Sequence, residues 1–270
     1  IMIGPRSALF TPFEHLGCIV IDEEHENSYK SEQVPKYHAR ETAEYLAELT
    51  GASLLLGSAT PSLEAYTRAK EGAYRLLTLK HRAKEAVMPK VEIADLRQEL
   101  AEGNRSMFSR KLKQSMEDRL QRGEQVMLFL NRRGYAGTVS CRACGEGMKC
   151  PHCDVSLTFH KGGKLLCHYC GYETIQPKLC PSCGSKYIGL FGTGTQKVEE
   201  AVLREFPGIK VLRMDADTTK NKGGHEKIVE AFAKGEAQVL IGTQMIVKGH
   251  DFPKVTLVGI IAADLSLYAG

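Results

Sequence analysis

Short apolar runs alternate with amphipathic stretches along most of this chain, which is the pattern of an α/β protein. Strands are predicted for the apolar runs 16–21, 53–56, 125–130, 188–191, 211–214, 238–241 and 255–261. Helices are predicted where apolar residues recur at helical spacing, over 41–49, 62–72, 109–122, 196–205 and 224–234. Ser62 and Ser109 stand where the N-caps of two of these helices are expected.

Two interruptions of this pattern suggest domain boundaries. The composition shifts between His81 and Phe108, where Pro89 and the polar run 98–105 predict a linker between two lobes. A cysteine-rich segment later interrupts the second lobe. We therefore divide the chain into a first lobe at 1–88, a linker with the start of the second lobe at 89–137, an insertion at 138–187 and the rest of the second lobe at 188–270.

Composition and net charge exclude few classes of protein. The net charge is +4, from 36 basic and 32 acidic residues, which is too mild to indicate a nucleic-acid partner by itself. No apolar run is long enough to span a bilayer, so no membrane partner is expected, and no secretion signal is recognisable. The chain begins in an apolar run at Ile1 and stops at Gly270, so we expect it to be an internal piece of a longer protein.

Eight of the nine cysteines form four Cys-x-x-Cys pairs within one short segment. Paired knuckles in a chain without a leader favour metal thiolates in a reducing cytosol over a secreted disulfide framework, so a cytoplasmic location is expected. Glycine follows three of the pairs and permits the positive φ of a tight turn. The pairs are Cys141 and Cys144, Cys150 and Cys153, Cys167 and Cys170, and Cys180 and Cys183.

Eight thiolates predict two structural Zn²⁺ sites, because four sulfur ligands complete a tetrahedral ion with no open position. We favour a nested pairing, with the two outer pairs on one ion and the two middle pairs on the other; a sequential pairing stays open. Ligation by His152, His160 or His168 is the weaker alternative. The segment is expected to be too small for an apolar core, so metal should hold it folded.

An acidic tetrad follows the predicted strand at 16–21 and is called the acidic box below. Acidic residues at the carboxyl end of a strand suit a nucleotide motor, in which Asp22 would hold Mg²⁺ through water and Glu23 would orient and deprotonate the attacking water. The plainer alternative is a solvated acidic turn. The candidate catalytic residues are Asp22, Glu23, Glu24 and His25.

Two further motifs follow predicted strands. Residues 57–62, Gly-Ser-Ala-Thr-Pro-Ser, are called the Ser-Ala-Thr loop, and they resemble the coupling motif of superfamily 2 helicases. The alternative is an ordinary loop with a helix cap. Residues 242–252 resemble motif V of the same superfamily, which touches nucleic acid and the ATP site. The candidate coupling residues are Ser58, Ala59 and Thr60.

These motifs resemble, in order and over essentially the whole chain, the family of primosomal replication-restart DNA helicases. The resemblance also includes the motifs at 4–8, 130–135, 192–197 and 214–217 and the four knuckles. It implies two RecA-like helicase lobes, the first one partial, with a zinc-knuckle insertion in the second. It also implies an ATP- and Mg²⁺-dependent 3′-to-5′ DNA helicase that acts on replication forks and single-stranded DNA in the bacterial nucleoid. The implied partners are single-stranded DNA-binding protein and primosome proteins, and we expect a monomer.

The resemblance assigns residues 28–40 to an aromatic-rich loop, in which aromatic rings would stack on unpaired bases and cations would meet phosphates. An incidental surface loop is the alternative. The implied nucleic-acid contacts are Tyr29, Lys30, Lys36, Tyr37, His38, Arg40, Thr243, Gln244 and Lys248. The implied nucleotide contacts are Gly249 and Asp251.

The sequence departs from the family pattern in one respect: no Gly-x-x-x-x-Gly-Lys-[Ser/Thr] phosphate loop occurs in it. In the family this loop would precede residue 1 and an arginine-finger motif would follow residue 270, so the isolated chain is expected to be inactive. A non-catalytic zinc module that binds DNA or protein and a superfamily 2 RNA helicase remain the competing functions.

Overall fold

The computed structural model describes residues 1–81, 87–130, 137–160, 162–190, 194–215, 217–219, 223–243, 246 and 251–263. The chain divides into two compact units, Ile1–Lys90 and Val91–Gly270, and each is described here by itself. Both units combine strands with helices, so the predicted α/β class is confirmed. Among the described residues, none of the helices is both long and apolar enough to cross a membrane.

The first unit contains two parallel strands, β1 (Cys18–Ile21) and β2 (Ser53–Leu56), joined through helix α1 (Ala39–Thr50). Helix α2 (Leu63–Lys70) follows β2 and begins where predicted, because the Ser62 hydroxyl accepts a hydrogen bond from the Ala65 N–H. Short 3₁₀ turns lie at Arg6–Phe10 and Asn27–Tyr29. Ile19, Ile21 and Ala43 form the core between β1 and α1.

The second unit is built on a parallel four-stranded sheet. Its strands are β3 (Gln125–Leu130), β9 (Val211–Met214), β10 (Val239–Gly242) and β11 (Val255–Ile261), and they lie in the order β11–β3–β10–β9. Its helices are α3 (Leu96–Ala101), α4 (Arg110–Gln121), α5 (Thr195–Glu205) and α6 (Gly224–Ala233). The fully buried Phe108, Met116 and Val198 fill its main core.

The cysteine-rich insertion leaves and re-enters this unit through an antiparallel stem, β4 (Val139–Cys141) with β8 (Ile188–Leu190). Beyond the stem lies a three-stranded antiparallel sheet of β5 (Thr158–His160), β6 (Lys164–Leu166) and β7 (Glu173–Ile175). Leu157 and Leu165 are fully buried in a small apolar cluster. The expectation of no apolar core is therefore wrong, because strand pairing lets even this short segment enclose a few side chains.

The predicted linker also differs from the structure. Helix α3 overlaps its polar run and starts at the Asp95 cap, where the side chain accepts a hydrogen bond from the Arg97 N–H. Local capping supports this short helix without a strong apolar stripe, which is why hydrophobic periodicity missed it. Phe191, the last residue of the strand predicted at 188–191, lies outside the described residues.

Candidate metal centres and motor motifs

All four Cys-x-x-Cys pairs fold into the same tight turn. In each, the backbone N–H of the residue after the second cysteine donates to the carbonyl of the first, at 2.8 to 3.0 Å. That residue has positive φ in every case: Gly145, Gly171 and Gly184 at 83°, 76° and 70°, and Asp154 at 55°. Glycine adopts this conformation without steric cost, and aspartate is among the few residues that tolerate it. Each turn therefore directs two sulfur atoms to one point.

The turns assemble in the nested pairing. One cluster, called the stem site, contains Cys141, Cys144, Cys180 and Cys183. The other, called the hairpin site, contains Cys150, Cys153, Cys167 and Cys170. Within each, all sulfur atoms lie within 4.8 Å of one another, and the Cys141–Cys183 and Cys150–Cys170 separations are 3.6 and 3.5 Å. A tetrahedral ion with Zn–S bonds of about 2.3 Å requires sulfur separations of about 3.8 Å.

The electrostatics of the hairpin site also suit a divalent cation. The backbone N–H of Cys170 donates to the Cys167 sulfur and lowers the pKa of Cys167 to about 7. Contact with the Cys170 thiol raises the pKa of Cys153 to about 12, because closely spaced sulfur atoms resist ionising together. Zn²⁺ would remove this conflict by accepting all four thiolates, so the two clusters fit the two predicted structural zinc ions. His152, His160 and His168 are exposed and belong to neither cluster.

Arg142, between the first two ligands of the stem site, ties this site to the rest of the second unit. Its guanidinium donates hydrogen bonds to three consecutive backbone carbonyls, those of Asn104 at 3.3 Å, Arg105 at 2.6 Å and Ser106. Arg105 in turn lies over the ring of Tyr187, 5.9 Å from its centroid. Sequence reasoning missed this contact, since nothing in a Cys-Arg-Ala-Cys turn indicates what its arginine will meet.

In the first unit, the acidic box lies at the carboxyl end of β1, beside the start of the Ser-Ala-Thr loop. Gly57 donates its N–H to the Ile21 carbonyl at 2.9 Å, which brings the ends of β1 and β2 together. Asp22 is exposed, and its side chain accepts the Glu23 N–H at 3.0 Å. Glu23 is half-buried with φ of 50°, a strained conformation for a residue other than glycine. The two carboxylates thus stand accessible at a strand end.

His25 connects the acidic box to the Ser-Ala-Thr loop. Its Nδ1 lies 2.7 Å from the Ser58 hydroxyl, and its Nε2 lies 3.5 Å from the Thr60 hydroxyl. The same Nδ1 is 3.5 Å from a Glu23 carboxylate oxygen. One imidazole therefore joins a candidate catalytic carboxylate to both hydroxyls predicted for coupling. Ala59 lies between those two hydroxyls in the loop.

Glu24 and Arg40 lie inside the first unit, which the predicted roles did not anticipate. Both are buried, with 3% and 5% of their surface exposed. The Glu24 carboxylate accepts hydrogen bonds from the Ser62 N–H and hydroxyl, at 2.6 and 2.9 Å, and from Arg40 at 3.3 Å. This enclosure favours a structural role for the Arg40 guanidinium, and its phosphate contact stays a prediction. The contacts of Glu24 likewise favour a structural role over a catalytic one.

Three ring-bearing side chains of the aromatic-rich loop make contacts within the first unit. The Tyr29 hydroxyl donates to the Asp22 carbonyl at 2.7 Å, and the Tyr37 ring packs edge-on against Phe10 with centroids 5.1 Å apart. His38 is the N-cap of α1, since its Nδ1 accepts the Arg40 N–H. Lys30 and Lys36 are exposed. The two lysines are thus the predicted contacts of this loop best placed to meet phosphate.

At the carboxyl end of the four-stranded sheet of the second unit, Asp215 joins the motif at 192–197 to the motif at 214–217. Its buried carboxylate accepts hydrogen bonds from the Thr195 hydroxyl and from the Thr218 and Asp217 N–H groups. Burial opposes its ionisation, but these hydrogen bonds outweigh it and lower the pKa of Asp215. In motif V, Gly242 allows close packing, because a Cβ there would lie 2.8 Å from the Met214 carbonyl oxygen.

The predicted motif V contacts are only partly described. Thr243 is half-buried and Asp251 is exposed. Gln244, Lys248 and Gly249 lie outside the described residues, as do residues 131–135, 192, 193 and 216 of three other motifs.

Comparison with known families defines the class of protein first. Residues 183–268 match the helicase conserved C-terminal domain, and residues 150–174 match the PriA DNA helicase Cys-rich region (CRR) domain. The chain thus carries a RecA-like helicase lobe with a cysteine-rich, zinc-binding insertion, as the sequence predicted. The Cys-rich match contains the hairpin-site ligands and none of those of the stem site.

Whole-chain similarity then gives the family. The chain is 55% identical to the replication restart protein PriA of Bacillus subtilis (strain 168) over 269 residues, covering 99% of the chain and 33% of the relative. It is 48% identical to PriA of Synechocystis, over 98% of the chain and 33% of the relative, and 42% identical to PriA of Haemophilus influenzae, over 100% and 37%. The chain belongs to the PriA family and spans about a third of the length of these relatives.

Proposed function

We propose that this chain is part of an ATP-dependent 3′-to-5′ DNA helicase that restarts stalled replication forks and helps to assemble the primosome. The observation that carries the proposal is the His25 bridge, which joins the acidic box to Ser58 and Thr60 of the Ser-Ala-Thr loop. Such a bridge gives a motor a direct connection between the site of nucleotide chemistry and a loop that senses nucleic acid. The identities to PriA proteins support the fork-restart assignment.

In this proposal, Asp22 holds Mg²⁺ through water, and Glu23 orients and deprotonates the water that attacks the nucleotide. Ser58 and Thr60 relay the nucleotide state through His25, while Gly249 and Asp251 of motif V contact the nucleotide. Lys30 and Lys36 of the aromatic-rich loop contact DNA. The motif V residues that contact DNA are Thr243, Gln244 and Lys248. Residues 1–88 end the first motor lobe, 89–137 and 188–270 form the second, and 138–187 are the zinc insertion.

We further propose single-stranded DNA-binding protein and primosome proteins as partners, a monomeric protein, and a location at the bacterial nucleoid. These proposals rest on the PriA relatives and on the presence of the motor motifs in the chain.

The test is ATP turnover by the full-length protein with and without single-stranded DNA. We expect DNA to stimulate turnover, and Glu23→Ala to abolish it. Stimulation by RNA in place of DNA would favour the RNA helicase instead. The isolated chain should be inactive with either, since it has no Gly-x-x-x-x-Gly-Lys phosphate loop. Full-length protein without Glu23-dependent turnover would leave the non-catalytic zinc module as the better description.

A further inference from the structure

Glu24 holds the Ser-Ala-Thr loop at both of its ends. Its backbone N–H donates to the Gly57 carbonyl at 3.0 Å, where the loop begins. Its carboxylate accepts both the N–H and the hydroxyl of Ser62, where the loop ends and α2 starts. Ser58 and Thr60, which contact His25, lie between these two fixed points. One residue of the acidic box therefore fixes the path of the whole loop.

The carboxylate in turn is held by Arg40 at the first turn of α1. One guanidinium nitrogen donates to both Glu24, at 3.3 Å, and the Ser62 hydroxyl, at 2.8 Å. The side chains of Glu24 and Arg40 are 1% and 6% exposed, so both charges are withdrawn from water. Charge-assisted hydrogen bonds are short and directional in such surroundings, and they fix geometry better than apolar contacts do. Glu24, Arg40 and Ser62 thus tie the acidic box to the starts of both helices.

A neutral side chain at position 24 would not reproduce this arrangement. Glutamine would keep an acceptor for the Ser62 N–H, but it would leave the buried Arg40 guanidinium with only the Glu44 carboxylate, 3.9 Å away, as an opposite charge, which is costly in a protein interior. Its amide would also place donors where the Ser62 hydroxyl and the guanidinium already donate. The site therefore favours a carboxylate in particular.

We propose that Glu24 is a positioning residue: through Ser62 and Arg40 it holds the Ser-Ala-Thr loop in register with His25, so that nucleotide chemistry and DNA binding stay coupled. This role rests on the proposed motor function. It predicts that a defect at Glu24 appears in the response of ATP turnover to DNA more than in ATP binding.

The first experiment compares full-length wild type with Glu24→Gln. The ratio of kcat with and without single-stranded DNA should fall about tenfold or more. The KM for ATP should change by less than about twofold, because Glu24 contacts neither the nucleotide nor the water in this proposal. Ala43→Gly is the matched control: Ala43 is fully buried in the same core, so the glycine lowers Tm, yet the DNA stimulation should persist.

A double variant separates positioning from stability. Arg40→Met in the Glu24→Gln background removes the buried charge that has lost its Glu24 partner, so Tm should recover while DNA stimulation stays low. Recovery of both together would show that Glu24 acts only through stability, and would overturn the proposal. Unchanged stimulation in Glu24→Gln would overturn it as well.

Hydrogen exchange in the same full-length proteins gives a readout independent of turnover. Glu24→Gln should raise the exchange of the Thr60 and Ser62 amides, which donate to Ser58 and Glu24 in the wild type, and Ala43→Gly should not. If wild type lacks Glu23-dependent ATP turnover, the proposed motor function is wrong. The hydrogen-exchange data then test the positioning role by themselves. Equal exchange in Glu24→Gln and wild type would refute that role.

Discussion

The stem site and the hairpin site share one coordination geometry but differ in what surrounds it. Around the hairpin site, Cys150 and Cys167 are themselves part of an apolar cluster with Leu157 and Leu165, closed by the three-stranded sheet. The stem site instead has Arg142, whose guanidinium binds the carbonyls of 104–106. Identical thiolate sets therefore do two different tasks: one completes a small core, and the other fastens the insertion to its lobe.

The difference shows that ligand geometry alone does not define the role of a structural metal. Four local turns fix the sulfur positions in both sites, so the coordination is the same. The role is set by the side chains that the turns carry between and beside the ligands.

Removing metal from both sites should have the largest effect. A strong chelator should release about two zinc ions per chain, and the insertion should lose its hydrogen-exchange protection before the four-stranded sheet does. Metal binding at such sites contributes about 10 kcal/mol or more to folding, far above what the small apolar cluster can replace. Metal analysis with exchange mass spectrometry measures both; release of a single ion would contradict the two-site assignment.

Removing one site at a time should separate the two tasks. Cys167→Ser and Cys180→Ser should each leave about one zinc ion per chain, because three thiolates and a hydroxyl hold Zn²⁺ poorly. Exchange should then rise in β5–β7 for Cys167→Ser, and in the segment 104–106 for Cys180→Ser. The same exchange pattern in both variants would contradict the comparison.

Removing the Arg142 contact should leave both metals in place. Arg142→Ala should keep about two zinc ions, raise exchange at 104–106 and lower the free energy of unfolding by about 2 kcal/mol, since hydrogen bonds from a charged donor are lost. Arg122→Ala is the matched control, because the guanidinium of Arg122 forms an exposed ion pair with Asp118 in the same unit. An equal effect of the two substitutions on exchange at 104–106 would contradict the fastening role of Arg142.

The smallest effects should come from the turn positions. Gly184→Ala places a side chain at φ of 70° and should destabilise the stem site by about 1 kcal/mol. Asp154→Gly should change the free energy of unfolding by no more than about 0.5 kcal/mol. Glycine removes the steric strain of a side chain at positive φ, but this gain is offset by the greater conformational freedom of glycine in the unfolded chain. Chemical denaturation with bound zinc measures both, and a large loss in Asp154→Gly would show that its side chain has another task.

Most secondary structure could be predicted because it is locally encoded. Ser62 and Ser109 cap helices as expected, and β2, β3, β9 and β11 have the predicted bounds or nearly so. The missed helix α3 depends on capping within a polar stretch, where periodicity is weak. The identity of the eight metal ligands was likewise local, since each knuckle is closed by hydrogen bonds between residues at most five positions apart.

The sequence by itself thus determined the strands of the two parallel sheets, the caps at Ser62 and Ser109, the knuckles and the order of the motor motifs, because all of these depend on short-range spacing. It did not determine strands β4 to β7 of the insertion or helix α3. Only the tertiary structure decided which knuckles share an ion, that Glu24 and Arg40 face each other inside the protein, and that Arg142 meets residues 104–106. These contacts join residues as much as 42 positions apart, as for Cys141 and Cys183. A charged residue carries no local sign of whether it will face solvent or a buried partner, because the path of the rest of the chain sets that environment.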